Sequence, residues 1–98
     1  MAYDRELAAR IRQALEARVA FQEKPMFGGL SFLVNGKIAL VADHQGRLMV
    51  RCIPARTDTL LAETTAQRAV MKGRPMSKGW LVVPADADIN FWVGVAVP

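Results

Sequence analysis

The strongest constraint on the fold is a two-residue turn, Asn35-Gly36, between two runs rich in apolar and β-branched residues, 30–34 and 37–42. Asn and Gly accept the positive φ angles of a type I′ turn, which matches the twist of two antiparallel strands. A third such run, 47–53, follows after a second polar turn. The three runs predict an antiparallel meander.

The turns also predict which side chains share a face of the meander. Pairing Val34 with Lys37 and Ala42 with Arg47 gives one apolar face and one mixed face. The apolar face comprises Leu30, Phe32, Val34, Ala39, Val41, Leu48, Val50 and Cys52. The mixed face comprises Ser31, Leu33, Ile38, Leu40, Ala42, Arg47, Met49 and Arg51. We expect the apolar face to build the core and the mixed face, which is unusually apolar for a solvated surface, to be an interaction surface. The alternative is that the C-terminal segment, or residues after Pro98, cover the mixed face within the monomer.

Further elements flank the meander. They are a helix at 4–18 capped by Asp4, a short helix at 57–65 capped by Thr57 or Asp58, and strands at 67–72 and 80–83. The last segment, 88–97, is ambiguous, because its β-branched and aromatic residues favour a strand while its apolar spacing also fits one helical face. With 98 residues the chain predicts one α+β domain, with an antiparallel five-stranded sheet and helices on one side.

The composition argues for a reducing compartment away from membranes. The one cysteine, Cys52, cannot form an internal disulfide, and we expect it to be a buried packing thiol. The charged start does not look like a signal peptide, and the late apolar run 89–98 is too short to cross a bilayer. The expected location is the cytoplasm.

The net charge of +4 comes from one segment, 64–84, which has four basic residues and no acid, whereas the rest of the chain has nine of each. Such an excess can steer an acidic partner or a phosphate, or it can be an ordinary solvated surface. Four charges are few for a nucleic-acid footprint.

No catalytic, cofactor or metal site is predicted. His44, the one histidine, lies in a predicted turn beside Asp43, and two ligands do not make a metal site. Without a histidine near a nucleophile no catalytic triad can be built. The glycines that follow Phe27 match no phosphate-loop spacing and are expected to let the backbone enter the first strand tightly. We therefore expect a protein that is not an enzyme.

Two stretches together resemble the TfoX/Sxy N-terminal domain family. They are Lys24-Pro-Met-Phe-Gly-Gly-Leu-Ser-Phe followed by Asn35-Gly-Lys-Ile, and Met71-Lys-Gly-Arg-Pro-Met-Ser-Lys-Gly-Trp. The resemblance covers nearly the whole chain and implies a two-layer, secretion-chaperone-like α+β fold. It also implies a final helix from about Asp88, which completes the order α-β-β-β-α-β-β-α.

The resemblance further implies a regulatory role. The family is named for regulators of bacterial competence for DNA uptake, which act with a cyclic-AMP-responsive transcription factor, although many members are stand-alone domains of unknown function. From its length we expect this chain to differ from those two-domain regulators in having no second domain. It also ends without basic residues in a last helical turn, which leaves open a continuation beyond Pro98.

The leading hypothesis is a non-catalytic regulatory or protein-binding module, whose partner is another protein, such as a transcription regulator, or a second copy of the chain. The loop 73–79 joins basic side chains to Met76 and suits recognition, although Met76 and Trp80 could equally anchor the core. The candidate contact residues are Leu33, Ile38, Leu40, Met49, Arg51, Lys72, Arg74, Met76 and Lys78. The alternative is a weak nucleic-acid-binding domain that uses segment 64–84.

Overall fold

A computed structural model describes residues 3–26, 28–71, 73–75 and 79–97 of the chain. In these ranges the helices are α1 (Arg5–Glu16), α2 (Thr57–Glu63) and α3 (Ile89–Ala96). The strands are β1 (Gln22–Met26), β2 (Gly29–Val34), β3 (Lys37–Ala42), β4 (Leu48–Arg51), β5 (Gln67–Arg68), β6 (Val70–Met71), β7 (Arg74–Pro75) and β8 (Trp80–Val83). The α+β class predicted from the sequence is confirmed.

Six of the described strands form one antiparallel sheet in the order β1-β2-β3-β4-β8-β5, and β6 pairs with β7 in a separate hairpin. The sequence predicted five strands. The additional strand is β1, whose polar residues and Pro25 show no apolar alternation. Such residues are tolerated there because β1 lies at an edge of the sheet. The predicted strand 67–72 is divided at Ala69, so that β5 joins the sheet and β6 joins the hairpin.

The two longer helices each begin after an aspartate that caps them. The Asp4 carboxylate accepts a hydrogen bond from the Leu7 N–H at 3.0 Å, as the sequence predicted. The Asp88 carboxylate accepts in the same way from the Phe91 N–H at 3.2 Å. This cap fixes the start of α3, so the ambiguous C-terminal segment is a helix.

The predicted cap of α2 was wrong. A 3₁₀ turn, Pro54–Arg56, leads straight into the helix and puts Arg56 at the N-cap position without a side-chain hydrogen bond. The buried hydroxyl of Thr57 instead accepts a hydrogen bond from the Gly79 N–H at 3.0 Å, and it lies 3.7 Å from the Cys52 Sγ. These contacts attach the start of α2 to the start of β8.

A β-bulge in β3 changes the predicted assignment of faces. Val34 pairs with Lys37 as predicted, and Leu33 pairs with Ile38, but Phe32 pairs with Leu40, so that Ala39 is an additional residue in β3. A bulge residue reverses the alternation of every residue after it. The sequence carries no turn signal at this point, and the reversal was not predicted.

The reversal moves Leu40 and Ala42 to the core face, where both are fully buried, and it moves Val41 to the opposite face, where it is half-buried. The predicted positions of these three residues were wrong. The pairing of Ala42 with Arg47 was also wrong by one residue, since Ala42 pairs with Leu48. The two errors cancel in β4, whose residues lie on the predicted faces.

The core lies between one face of the sheet and the helices α1 and α3. Phe32 and Val50 are fully buried there, as predicted, and Cys52 is 5% exposed. The helices contribute buried apolar residues from one side each, namely Leu7, Ala8, Ile11, Ala14 and Leu15 from α1 and Ile89, Trp92, Val93 and Val95 from α3. Helices therefore cover one face of the sheet, and we call the other one the outer face.

An ion pair joins α1 to the edge strand β1. The guanidinium of Arg12 donates to both carboxylate oxygens of Glu23, with 2.8 Å between Arg12 Nη2 and Glu23 Oε1. This charge-assisted hydrogen bond lowers the pKa of Glu23 below its ordinary value of 4.5. The pair is partly exposed, so its contribution to stability is small.

Candidate functional site

The outer face is largely apolar along its centre. The register places Ser31, Leu33, Ile38, Val41, Met49, Arg51, Trp80 and Val82 on this face. Ser31 and Val82 are buried, Arg51 is exposed, and the remaining five are half-buried. A half-buried apolar row on the side of a sheet opposite its helices is typical of a contact surface rather than of plain solvated surface.

A groove of about 730 Å³ runs along this face. Its apolar lining comes from Met26, Ile38, Val41, Met49 and Trp80, and Ser31 and Gly29 lie among them. The β6–β7 hairpin contributes Val70 and Gly73 to the same groove, and the Val70 side chain is 58% exposed. The sheet and the hairpin therefore form two sides of one apolar depression.

One end of the groove is polar and is organised by Asp43. Its carboxylate is nearly buried and accepts hydrogen bonds from the backbone N–H groups of Gln45 at 2.9 Å and Arg47 at 2.8 Å. The same carboxylate accepts from the Arg47 Nε at 3.1 Å. His44 also lines this end. The Arg47 side chain, which is 42% exposed, is thus held in place by a carboxylate that is itself fixed.

The other end of the groove is basic. A neighbouring cavity of about 420 Å³ shares the lining residues Ile38 and Trp80 with the groove, so the two are adjacent. Lys37 and Arg51 line this second cavity, and both are exposed. The arrangement is an apolar centre with cationic side chains at both ends.

A protein-family model matches most of the chain. The family model described as TfoX N-terminal domain matches residues 13–90, which run from the middle of α1 into α3. The chain belongs to this family. No curated protein and no solved structure matches it significantly. The TfoX N-terminal domain family is not a known enzyme family.

In this TfoX N-terminal domain, Gly29 is required at the start of β2. A Cβ added to Gly29 would lie 2.5 Å from the carbonyl oxygen of Ala42, which is a steric clash with the backbone of β3. Gly28 before it adopts a positive φ of 77°. The expectation that these glycines give the chain a tight path into the first strand of the meander is therefore confirmed, and the two backbones meet at one border of the groove.

The structure brings together some of the candidate contact residues of this TfoX N-terminal domain. Ile38 and Met49 line the groove, and Leu33 and Arg51 lie on the same face. Leu40 is fully buried in the core, so its assignment to the contact surface was wrong, and the bulge at Ala39 is the reason.

The candidates in the basic segment are only partly placed. Arg74 is exposed on β7, while Lys72, Met76 and Lys78 lie outside the described residues. Trp80, which the sequence left between a core anchor and a recognition residue, is half-buried in the groove.

Sequence reasoning missed four parts of the groove. The hairpin that supplies Val70 and Gly73 was missed because 67–72 was assigned as one strand. Val41 was missed because of the bulge, and Met26 was missed because β1 was not predicted. The ion pair of Asp43 and Arg47 was missed because the turn was assigned one residue too short. An aspartate that begins a turn and is followed by Gly46 and then an arginine was the available signal.

Metal-ligating side chains are not grouped among the described residues. In the ranges 3–26, 28–71, 73–75 and 79–97, no group of three or more His, Cys, Asp or Glu side chains is placed to hold a metal ion. His44 is exposed in its turn, and Cys52 is buried. The same ranges contain no helix with the length and apolar character needed to span a membrane.

Proposed function

We propose that this TfoX N-terminal domain is a non-catalytic regulatory module that binds an extended segment of another protein in the outer-face groove. The observation that carries the proposal is the apolar groove with Arg47 at one end and Lys37 and Arg51 at the other. Family membership supports a regulatory task related to competence. A transcription regulator stays the predicted kind of partner.

Charge complementarity favours a different protein over a second copy as the occupant. Among the described residues that line the groove, Asp43 is the one acid, and it is already paired with Arg47. Two copies packed face to face would enclose Lys37 and Arg51 of both copies, and the described lining of the groove offers them no unpaired carboxylate, so the contact is repulsive. An acidic partner removes this repulsion and also complements the net charge of +4.

Site-specific photo-crosslinking in the source cell tests the proposal. A photoreactive phenylalanine at Val70, on the exposed border of the groove, should capture a partner protein that the same group at Phe91 does not capture. Phe91 is a suitable control because it is also an exposed apolar residue, with 46% of its surface accessible against 58% for Val70. It lies on α3, on the side of the sheet that the helices cover. The captured protein is then purified and its affinity for the domain is measured.

In that measurement Val41→Asp should abolish binding, because it puts an unpaired carboxylate into the apolar centre of the groove. Phe91→Asp should leave the affinity unchanged. Equal capture from both positions, or unchanged affinity of the Val41→Asp variant, would refute the proposal. Crosslinks between two copies from Val70, with a dimer mass in light scattering, would show instead that a second copy fills the groove.

The nucleic-acid alternative differs in its dependence on salt. Binding of a labelled DNA duplex through segment 64–84 would weaken steeply as the salt concentration rises, whereas an apolar contact changes little. We expect no measurable duplex binding at physiological salt. Salt-sensitive binding that Arg74→Gln weakens, and that Val41→Asp leaves intact, would favour the alternative.

A further inference from the structure

Two arginines with a methionine between them lie in β4 and directly before it. Met49 and Arg51 share the outer face of β4, and Arg47, the residue before the strand, lines the groove beside Met49. Arg51 comes four residues after Arg47, which is roughly 13 Å at about 3.3 Å per residue of extended chain. The two cationic side chains therefore stand at opposite ends of the apolar row.

The guanidinium of Arg47 is oriented so that it can bind a further carboxylate. Its Nε is bonded to Asp43, whose own position is fixed by two backbone hydrogen bonds in the turn. Among the described residues, its two Nη groups have no hydrogen-bond partner, and the side chain is 42% exposed at the end of the groove. An oriented guanidinium with donors to spare can bind a second carboxylate with little additional loss of side-chain entropy.

The opposite end offers a looser cationic pair. Arg51 and Lys37 are both exposed and line the cavity that is adjacent to the groove at Ile38 and Trp80. No acid lines that cavity among the described residues. An anionic side chain placed there would face two cations and no competing carboxylate.

We infer that the segment bound in the groove carries an acidic residue on each side of an apolar centre, one bound by Arg47 and the other by Arg51 with Lys37. This inference rests on the proposed function and adds the chemistry of the partner to it. Side chains of an extended peptide alternate, so the two acids and the apolar residue between them occupy every second position. The recognised pattern is therefore acidic, any, apolar, any, acidic.

A phage library of random peptides, selected on the immobilised full chain, provides the probe. Selected peptides should share an apolar residue with Asp or Glu two positions before and after it. One of them, synthesised with a fluorescent label, is then titrated with the protein and with single variants. Arg47→Gln and Arg51→Gln should each weaken its binding on the order of tenfold at low salt, as expected for the loss of a charge-assisted hydrogen bond.

A charge-matched control separates local contacts from overall charge. Arg5→Gln removes an exposed arginine on α1, which packs on the other side of the sheet, and it should change the affinity little. One acid of the peptide is then replaced by its amide. The arginine that binds this acid should no longer affect the affinity when it is substituted, whereas substitution of the other arginine should weaken binding as before, because only contacting groups have non-additive effects. Equal weakening by Arg5→Gln, or full additivity in both cycles, would overturn the inference.

The acidic pattern of the partner and the groove as its binding surface are refuted by different outcomes. Selected peptides that lack acids, yet lose binding to Val41→Asp, would overturn the acidic pattern and leave the groove as the binding surface. Failure to select any peptide, or selection of peptides that bind the Val41→Asp variant equally well, would overturn the proposed function and the inference with it.

Discussion

The β-bulge at Ala39 can be tested by truncating the two residues that follow it. Leu40 is fully buried on the core face and is paired with Phe32 and Val50, whereas Val41 is half-buried on the outer face. Leu40→Ala should therefore destabilise the protein much more than Val41→Ala does. Regular alternation without the bulge would give the reverse order.

The expected magnitudes follow from burial. Leu40→Ala removes the greater part of a fully enclosed side chain and leaves a cavity, which costs about 2–5 kcal/mol. Val41→Ala removes two methyl groups from a side chain that already meets solvent, so the cost should stay under about 1 kcal/mol. For a domain of this size the Leu40 substitution should lower Tm by roughly 10–25 °C.

Chemical denaturation in urea, followed by circular dichroism, measures both free energies of unfolding under the same conditions. The slope of the unfolding free energy against urea should be alike for the two variants, since both unfold the same chain. Phe32→Ala serves as a reference for a core truncation on the same face, with an expected cost of about 3–5 kcal/mol. A Val41→Ala variant that is destabilised as much as Leu40→Ala would refute the bulge and the assignment of the outer face.

Three further outcomes are expected. Arg12→Gln should lower stability at neutral pH by under about 1 kcal/mol, and the difference from the wild type should vanish below the folded-state pKa of Glu23. Because the pKa of Glu23 is lowered in the folded state, its carboxylate stabilises the fold at pH values above its ordinary pKa of 4.5, and this effect is lost as the carboxylate is protonated. A stability difference between Arg12→Gln and the wild type that grew on acidification would contradict the ion pair. Cys52 should react only slowly with a thiol reagent under native conditions, since it is 5% exposed, and labelling as fast as in urea would show that it is accessible. Gly29→Ala should destabilise the domain by about 1–3 kcal/mol, because the added Cβ clashes with the Ala42 carbonyl oxygen. Thermal melting measures this loss, and an unchanged Tm would show that the clash does not occur.

Local signals account for the parts of the fold that the sequence predicted. Asn35 and Gly36 adopt the positive φ angles expected of their turn, because few other residue pairs accept them. Asp4 caps its helix because an aspartate stands directly before an amphipathic pattern. Such features depend on a few neighbouring residues and can be found in a single sequence.

Other features depend on residues far apart in the chain and could not be predicted in this way. The bulge at Ala39 follows from the requirement that Leu40, and not Val41, contacts the core under the helices. The edge position of β1 depends on its pairing with β2 and not on its own polar residues. The groove requires both, since Val41 and Met26 contribute to its lining, and it therefore appeared only when the strands were assembled.

The two edges of the sheet have a consequence for the behaviour of the protein at high concentration. The open edge of β1 contains Pro25, which has no N–H to donate, and β5 at the opposite edge is only two residues long. Neither edge gives a second chain a long row of backbone donors and acceptors, which is what fibril growth and strand exchange require. We therefore expect the domain to tolerate crowding and high expression without forming amyloid-like aggregates. A partner, too, would contact side chains of the outer face and would not extend the sheet.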